Sequence, residues 1–271
     1  MSEDARVDIH SHLVPGVDDG ARTLDDALES IGRMTRLGIR SILTTPHLDA
    51  SLLRLSAGPE RVAAVEAAFE GLADAVAREY PAVHLARGFE IMLDDPDPDL
   101  SDPALRMAGT TFALVEWPSM QVPPETSEVI RRLCGAGVRP IIAHPERYHT
   151  GEPIVTLAGI WRAAGATLQV NLGSLMGRYG ARAEERAWAL LAGGSVDYLA
   201  SDHHGRPHLE LHHEQVARAF EDRGAEEEFK MLVRTNPQRI LDDRAPLPVR
   251  PVQRPRGWRS RLRNLFRTSP S

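Results

Sequence analysis

Seven apolar runs separated by amphipathic segments constrain what this sequence can fold into more than any other feature. The runs read as strands at 6–12, 39–47, 83–91, 111–117, 138–144, 167–173 and 196–204, each bounded by turn residues. Between them lie segments with helical periodicity, such as LDDALESIGRMTRLG, PERVAAVEAAFEGLADAVAREY, SEVIRRLCGAG, VTLAGIWRAAG and EERAWALLAGG. Several of these end in the glycine expected just past a helix. Repeated strand-then-helix units imply a parallel sheet, which in a chain of 271 residues closes most simply into a barrel.

The residues that end these runs are chemically selective. His10 and His12 close the first, His47 the second, Glu90 the third, Glu116 the fourth, His144 the fifth, and Asp202 with His204 the seventh. The sixth ends in Asn171, which could hydrogen-bond rather than ligate. In parallel barrels the C-terminal ends of strands converge on one face, so these groups should meet. Side chains two apart on a strand share a side, so His10 and His12 can grip one ion while Ile9 packs away. The same holds for Asp202 and His204.

A mixed imidazole and carboxylate set suits Mn, Fe or Zn, whereas oxygen-only sites favour Mg or Ca. There are more candidates than one ion needs, so two or three ions sharing a bridging carboxylate, with Glu90 as the bridge, would use them. A lone histidine at a strand end is ordinarily a packing residue. Metal-capable groups at six of seven ends argue against that reading for the set. Asp18 and Asp19 in the DDG sequence could form a plain turn. His84, His149, His203, His208, His212 and His213 fall off the inward phase and read as surface residues.

The net charge of −6 hides an asymmetry, because residues 244–271 hold eight arginines and no acids, leaving −14 on residues 1–243. An acidic body argues against nucleic-acid binding, which depends on Lys and Arg neutralising phosphates. The tail divides into a proline-spaced linker and GWRSRLRNLFR, which puts Trp258, Leu262, Leu265 and Phe266 toward one helical side. Such a segment is either a flexible solubilising tail or a basic helix on an anionic membrane surface, at up to about 1 kcal/mol per charge. No run is long enough to span a bilayer, and the N-terminus lacks a basic-then-apolar leader, so the expected compartment is the cytoplasm. The single cysteine, Cys134, permits no internal disulfide and no cysteine-cluster zinc site.

The motifs DIHSHLVPGVDDG, TTPH, GFEI, LVEW, IIAHPERY, QVNLGS, ASDHHGRP and NPQRIL, in this order over about residues 7–241, resemble the polymerase-and-histidinol-phosphatase (PHP) superfamily of phosphoesterases. Within it, the chain is most similar to the CpsB/CapC type of bacterial protein-tyrosine phosphatase associated with capsule and exopolysaccharide synthesis. The resemblance implies an α/β fold, a distorted (β/α)7 TIM-like barrel over residues 1–243 followed by a flexible basic tail over 244–271. It also implies a manganese centre of up to three ions, and phosphotyrosine on a membrane-coupled tyrosine autokinase as substrate. Carried over by position, the ligands are His10, His12, Asp19, His47, Glu90, Glu116, His144, Asp202 and His204, with Asp19 favoured over Asp18 because it immediately precedes the glycine. Arg147 in HPERY matches a phosphate-binding arginine, and Arg206 is matched to a second across a loop shorter than the family's. Enzymes of this type include ring-like assemblies, so oligomerisation stays open.

Such a centre would activate water for in-line attack on phosphorus without a phospho-enzyme. A small-molecule phosphatase acting on histidinol phosphate, and a metal-binding regulatory subunit without turnover, are the rival readings. A cysteine phosphatase is disfavoured. Cys134 sits in a helical pattern with Arg139 only five residues later, not at the head of a phosphate-binding loop.

Overall fold

The computed structural model describes residues 5–206 and 208–253. Its main elements, in chain order, are β1 (Arg6–Asp8), α1 (Leu24–Arg36), β2 (Ile39–Thr44), β3 (His47–Asp49), α2 (Ala57–Glu79), β4 (His84–Arg87), β5 (Glu90–Met92), β6 (Phe112–Glu116) and α3 (Thr126–Gly135). There follow β7 (Arg139–Ala143), α4 (Ile154–Ala164), β8 (Thr167–Asn171), the single turn α5 (Leu172–Leu175), α6 (Ala181–Ala192), β9 (Tyr198–Ala200), α7 (His213–Glu221), α8 (Glu226–Lys230) and α9 (Asn236–Leu241).

All seven expected strand regions are present, but the second and third are each broken in two. Between β2 and β3 the break falls at Thr45–Pro46, where proline offers no ladder donor. Between β4 and β5 it falls at Gly88–Phe89. A Cβ on Gly88 would stand 2.9 Å from Cα of Met107, so the chain turns this corner where only glycine fits. The breaks divide the strands into a three-stranded sheet, β1-β2-β4, and a six-stranded sheet, β3-β5-β6-β7-β8-β9, with every pairing parallel. The expected closed barrel is therefore not present among the described residues. Just beyond β1 and β9 the two sheets are joined by one isolated bridge, Ser11 to His203.

Both faces of the larger sheet are apolar, as parallel sheets require. In β6, Phe112 and Leu114 point into one cluster with Val7, Ile9, Ile141 and Tyr198. Ala113 and Val115 point the other way, into the layer beneath α3, α4 and α6 that includes Ile130, Trp161 and Trp188. Helix α1 shows the same logic locally. The side chain of Thr23 accepts from the Asp26 amide at 3.1 Å, capping the start, and Gly38 at φ 80° follows the last turn. Its Ala27, Ile31 and Met34 are buried against Ile39 and Ile42 of β2.

Beyond α9 the chain runs along the body. The Leu247 amide donates to Oδ1 of Asn236 at 2.8 Å, and the Val252 amide donates to the Leu191 carbonyl at 3.0 Å, with Val252 buried. This contact lies at the end of α6 that leads into β9, and Asp202 follows the other end of that strand. The amphipathic GWRSRLRNLFR stretch lies outside the described residues. Among the described residues, no helix is long and apolar enough to cross a membrane.

Candidate metal centre and active site

His10 and His12 follow β1 in irregular backbone rather than closing a strand, and Asp202 follows β9 in the same way. Backbone hydrogen bonds fix these segments side by side: the His12 amide donates to the His203 carbonyl at 2.8 Å, and the Asp202 amide to the His10 carbonyl at 2.9 Å. The fully buried Asp8 completes the joint by accepting from the His10 amide at 3.1 Å and the Ser201 amide at 3.3 Å. Burial pushes its carboxyl up to about 6 against those hydrogen bonds. His144 and Asp202 sit at φ 33° and φ 50°, in the left-handed region that costs a non-glycine residue about 1 kcal/mol or more.

The side chains from these segments meet. Nε2 of His10 is 3.2 Å from Oε2 of Glu90 and 3.4 Å from Oδ1 of Asp202, and Nε2 of His12 is 3.3 Å and 3.5 Å from the same two oxygens. Nε2 of His144 stands 2.8 Å from Oε1 of Glu90. At the rim, Oδ1 of Asp19 is 3.5 Å from Nε2 of both His47 and His204. Nδ1 of His47 is 3.2 Å from Glu90 and 3.3 Å from Glu116.

Four groups could each hold an ion: His12, Asp19, His47 and His204; His10, His12 and Asp202; His10, Glu90 and His144; and His47, Glu90 and Glu116. Within each, the donor atoms lie within 4.8 Å of one another. Glu90, His10 and His12 each join two of the groups. His47 also joins two, through different nitrogens, and a neutral imidazole has a lone pair on only one of them, so it serves one group at a time.

A second layer of hydrogen bonds sets the orientation of these imidazoles. Nδ1 of His10 is 2.9 Å from Oε1 of Gln169, whose amide nitrogen donates to Oδ1 of Asn171 at 2.8 Å. Asn171 then donates to Oδ2 of Asp202 at 2.7 Å. Nδ1 of His12 is 2.8 Å from Oδ2 of Asp18. With both Nδ1 atoms acting as donors, the two Nε2 lone pairs face each other at 3.3 Å. Two lone pairs at that separation repel unless a cation or proton lies beside them. The donor set and its orientation therefore fit a divalent cation.

The electrostatics make the same demand. Burial alone would lower the pKa of His10, but the carboxylates of Glu90 and Asp202 override it and hold the imidazole at about 9. Burial likewise opposes ionisation of Glu90 and Asp202, and the facing histidines hold both well below the usual carboxylate range. Each side's ionisation leans on the other's charge, so the pocket requires positive charge among its carboxylates.

Arg147 lies beside this centre. NH1 donates to Oδ2 of Asp202 at 2.9 Å, and the guanidinium carbon stands 4.3 Å from the centroid of the Tyr179 ring. Arg206 faces the Asp19 loop instead. Nε donates to the Gly20 carbonyl at 3.2 Å and NH2 to the Asp19 carbonyl at 2.7 Å. The glycine of DDG has a steric reason, because a Cβ on Gly20 would stand 2.2 Å from the His12 carbonyl oxygen. Cys134 is a half-buried residue of α3 whose thiol burial pushes up, the opposite of an activated nucleophile.

Two sequence expectations need correcting. His203 and His213, read as surface residues, are buried. His203 contacts Oγ of Ser30 at 3.2 Å and His213 the Leu211 carbonyl at 3.1 Å, and burial lowers each to about 3. Four residues that the strand-end reading missed are Asp8, Asp18 as the partner of His12, Gln169 and Tyr179. For Asp8 and Gln169 a signal existed, since each lies two residues before His10 or Asn171 and so shares its strand phase.

The geometry agrees with the relationships of the whole chain. Tyrosine-protein phosphatase YwqE of Bacillus subtilis (strain 168) is 29% identical over 252 residues, covering 92% of this chain and 97% of its own length. Tyrosine-protein phosphatase CpsB of Streptococcus agalactiae serotype III (strain NEM316) is 25% identical over 210 residues, covering 73% and 82%. A chain from the crystal structures of YwqE from Bacillus subtilis and CpsB from Streptococcus pneumoniae, described as unique metal-dependent tyrosine phosphatases, superposes with a TM-score of 0.75 at 27% identity. That match covers 92% of this chain and 99% of the other. Residues 6–242 match the family described as capsular polysaccharide synthesis, CpsB/CapC, and the chain belongs to that family.

Proposed function

We propose that this chain is a metal-dependent protein-tyrosine phosphatase of capsule or exopolysaccharide synthesis, with manganese as its metal. The observation that carries this reading is the buried meeting of His10, His12, Glu90, His144 and Asp202, whose lone pairs and charges call for a cation. In this reading those five residues, with Asp19, His47, Glu116 and His204, hold two or three ions. When bound, the ions would acidify water and neutralise charge on the transferring phosphoryl group.

The chain's own residues supply orientation and charge. Gln169 and Asp18 keep the His10 and His12 protons on Nδ1, so that Nε2 faces the centre. Arg147, with one N–H on Asp202, turns the rest of its planar fork to the phosphate dianion. A tyrosine phenolate leaves with a pKa of about 10, so the departing oxygen needs little protonation. Arg206 is a second candidate for the phosphate, and would have to exchange its contacts with the Asp19 and Gly20 carbonyls to reach it.

The substrate would be a phosphorylated tyrosine autokinase at the membrane. In this reading the protein is cytoplasmic, and the basic 257–271 segment brings it to an anionic leaflet. Turnover of a phosphotyrosine peptide is compared with that of histidinol phosphate at equal manganese. A higher kcat/KM for the peptide supports the proposal, a preference for histidinol phosphate moves it to a small-molecule phosphatase, and no turnover of either leaves a metal-binding regulatory subunit. Flotation with anionic liposomes that is lost on deleting residues 257–271 supports the membrane contact, and unchanged flotation removes it.

A further inference from the structure

Tyr179 occupies the loop between α5 and α6, flanked by Gly177 at φ 77° and Gly180 at φ 91°. Neither the strand-end pattern nor the metal centre accounts for it. Its ring lies 4.3 Å from the guanidinium carbon of Arg147, close enough for stacking, and Arg178 stands 5.2 Å from the same centroid. The Tyr179 hydroxyl donates to Oδ2 of Asp202 at 3.4 Å, the oxygen that also accepts from Arg147 at 2.9 Å and from Asn171 at 2.7 Å. Arg147 is thus held on two sides, by a carboxylate along one N–H and by the Tyr179 ring beside its guanidinium carbon.

We infer that Tyr179 is a positioning residue, whose ring fixes the plane of the Arg147 guanidinium and so sets how tightly the site holds a phosphate. The inference rests on the proposed phosphate-binding role of Arg147. A guanidinium tied by a single N–H to a carboxylate can still swing about that bond, and a bidentate phosphate contact needs both the plane and the direction of the fork fixed. An aromatic face supplies that restraint without competing for the N–H groups the phosphate will use. A role for the hydroxyl alone is the weaker reading, since at 3.4 Å it is the longest of the three contacts to Oδ2.

The test uses the full chain loaded with manganese, p-nitrophenyl phosphate as substrate and inorganic phosphate as competitive inhibitor. The variants are Tyr179→Phe, Tyr179→Leu, Arg147→Ala and the Tyr179→Leu/Arg147→Ala pair, each with metal content and melting temperature measured. The inference expects Tyr179→Phe to stay within about twofold of the parent, and Tyr179→Leu to weaken phosphate inhibition and raise KM by roughly tenfold with metal content unchanged. It also expects Tyr179→Leu to add nothing once Arg147 is alanine. If Tyr179→Leu does not fold, Tyr179→Met carries the same reading.

Parent-like phosphate inhibition in Tyr179→Leu while Arg147→Ala is impaired overturns the role of Tyr179 and leaves that of Arg147 standing. Equal damage in Tyr179→Phe and Tyr179→Leu, loss of metal, or additive effects in the double variant would overturn it as well. Unchanged phosphate inhibition in Arg147→Ala removes the phosphate role of Arg147, and the inference with it.

Discussion

The carboxylate of Asp202 faces two ways: Oδ2 accepts from NH1 of Arg147 at 2.9 Å, while Oδ1 faces Nε2 of His10 at 3.4 Å. One side chain therefore links the proposed phosphate-binding arginine to the proposed metal centre. Because Asn171 also donates to Oδ2, Asp202 keeps a partner when the arginine is removed. Arg147→Ala is expected to lower kcat/KM for a phosphotyrosine peptide by about a hundredfold, the scale of losing one preorganised charge donor, with metal content retained. Arg147→Lys should not restore it, because an ammonium lacks the planar fork. Steady-state kinetics with metal analysis checks this, and lost metal would make Arg147 structural.

Gln169 supports the centre from beneath through His10. In Gln169→Leu the Nδ1 proton loses its acceptor, the tautomer is no longer fixed, and manganese affinity should fall by about 10- to 100-fold with the fold intact. Calorimetric titration of the metal-free protein measures this. An unchanged affinity would show that His10 needs no such partner.

Gly20→Ala places a methyl where a Cβ would stand 2.2 Å from the His12 carbonyl oxygen. The clash cannot be relieved without moving the loop that presents Asp19 or the segment that presents His12. Metal affinity should drop by at least about tenfold while far-UV circular dichroism stays parental, because overpacking here is local. Parental affinity would mean that the loop has room to shift.

Proton and metal compete at His10. Its imidazole, held at about 9 in the metal-free site, must lose a proton before Nε2 can ligate. Apparent manganese affinity should therefore rise as pH is raised from 6.5 toward 9, by about tenfold per unit for each proton displaced, and flatten above that range. The sign for stability is opposite. A histidine raised in the folded state stabilises the metal-free protein fully below its unfolded value near 6.5, and that contribution is lost as pH passes through 9. The melting advantage conferred by metal should then widen from pH 6.5 to 9, as thermal melts with and without manganese would record. A gap that narrows over this range would contradict the assigned charge state.

Cys134→Ser should leave turnover unchanged, since the thiol lies in α3 and burial disfavours its thiolate. An inactive, folded variant would point to cysteine chemistry.

Much of the fold was legible because strand periodicity and glycine-terminated helical segments are local signals, and β6 and β7 fall inside their expected runs. The two-sheet division was not. Pro46 and Gly88 mark corners, but the direction of a corner depends on a contact such as Gly88 against Met107, which lies 19 residues away in sequence. At the site, the metal-capable groups were readable as a set, although among them only Glu116 closes a strand while His47 and Glu90 open β3 and β5, and Asn171 makes the hydrogen bond suggested for it. His203 and His213 defeated the reading because His203 lies in the isolated bridge to Ser11 and His213 opens α7, so neither falls inside a strand whose alternation would separate buried from exposed positions. Tyr179 was invisible for a related reason. Its partners Arg147 and Asp202 come from two other strand ends, and no periodicity connects a loop tyrosine to either.

The account rests on the buried histidine and carboxylate cluster binding divalent ions that the reaction needs. The most direct measurement is hydrolysis of a phosphotyrosine peptide by one protein sample before chelation, after exhaustive chelation, and after manganese is restored, with bound metal quantified at each stage. The account predicts that activity disappears with two or three ions per chain and returns with them. Full activity in a sample shown to be metal-free would contradict it.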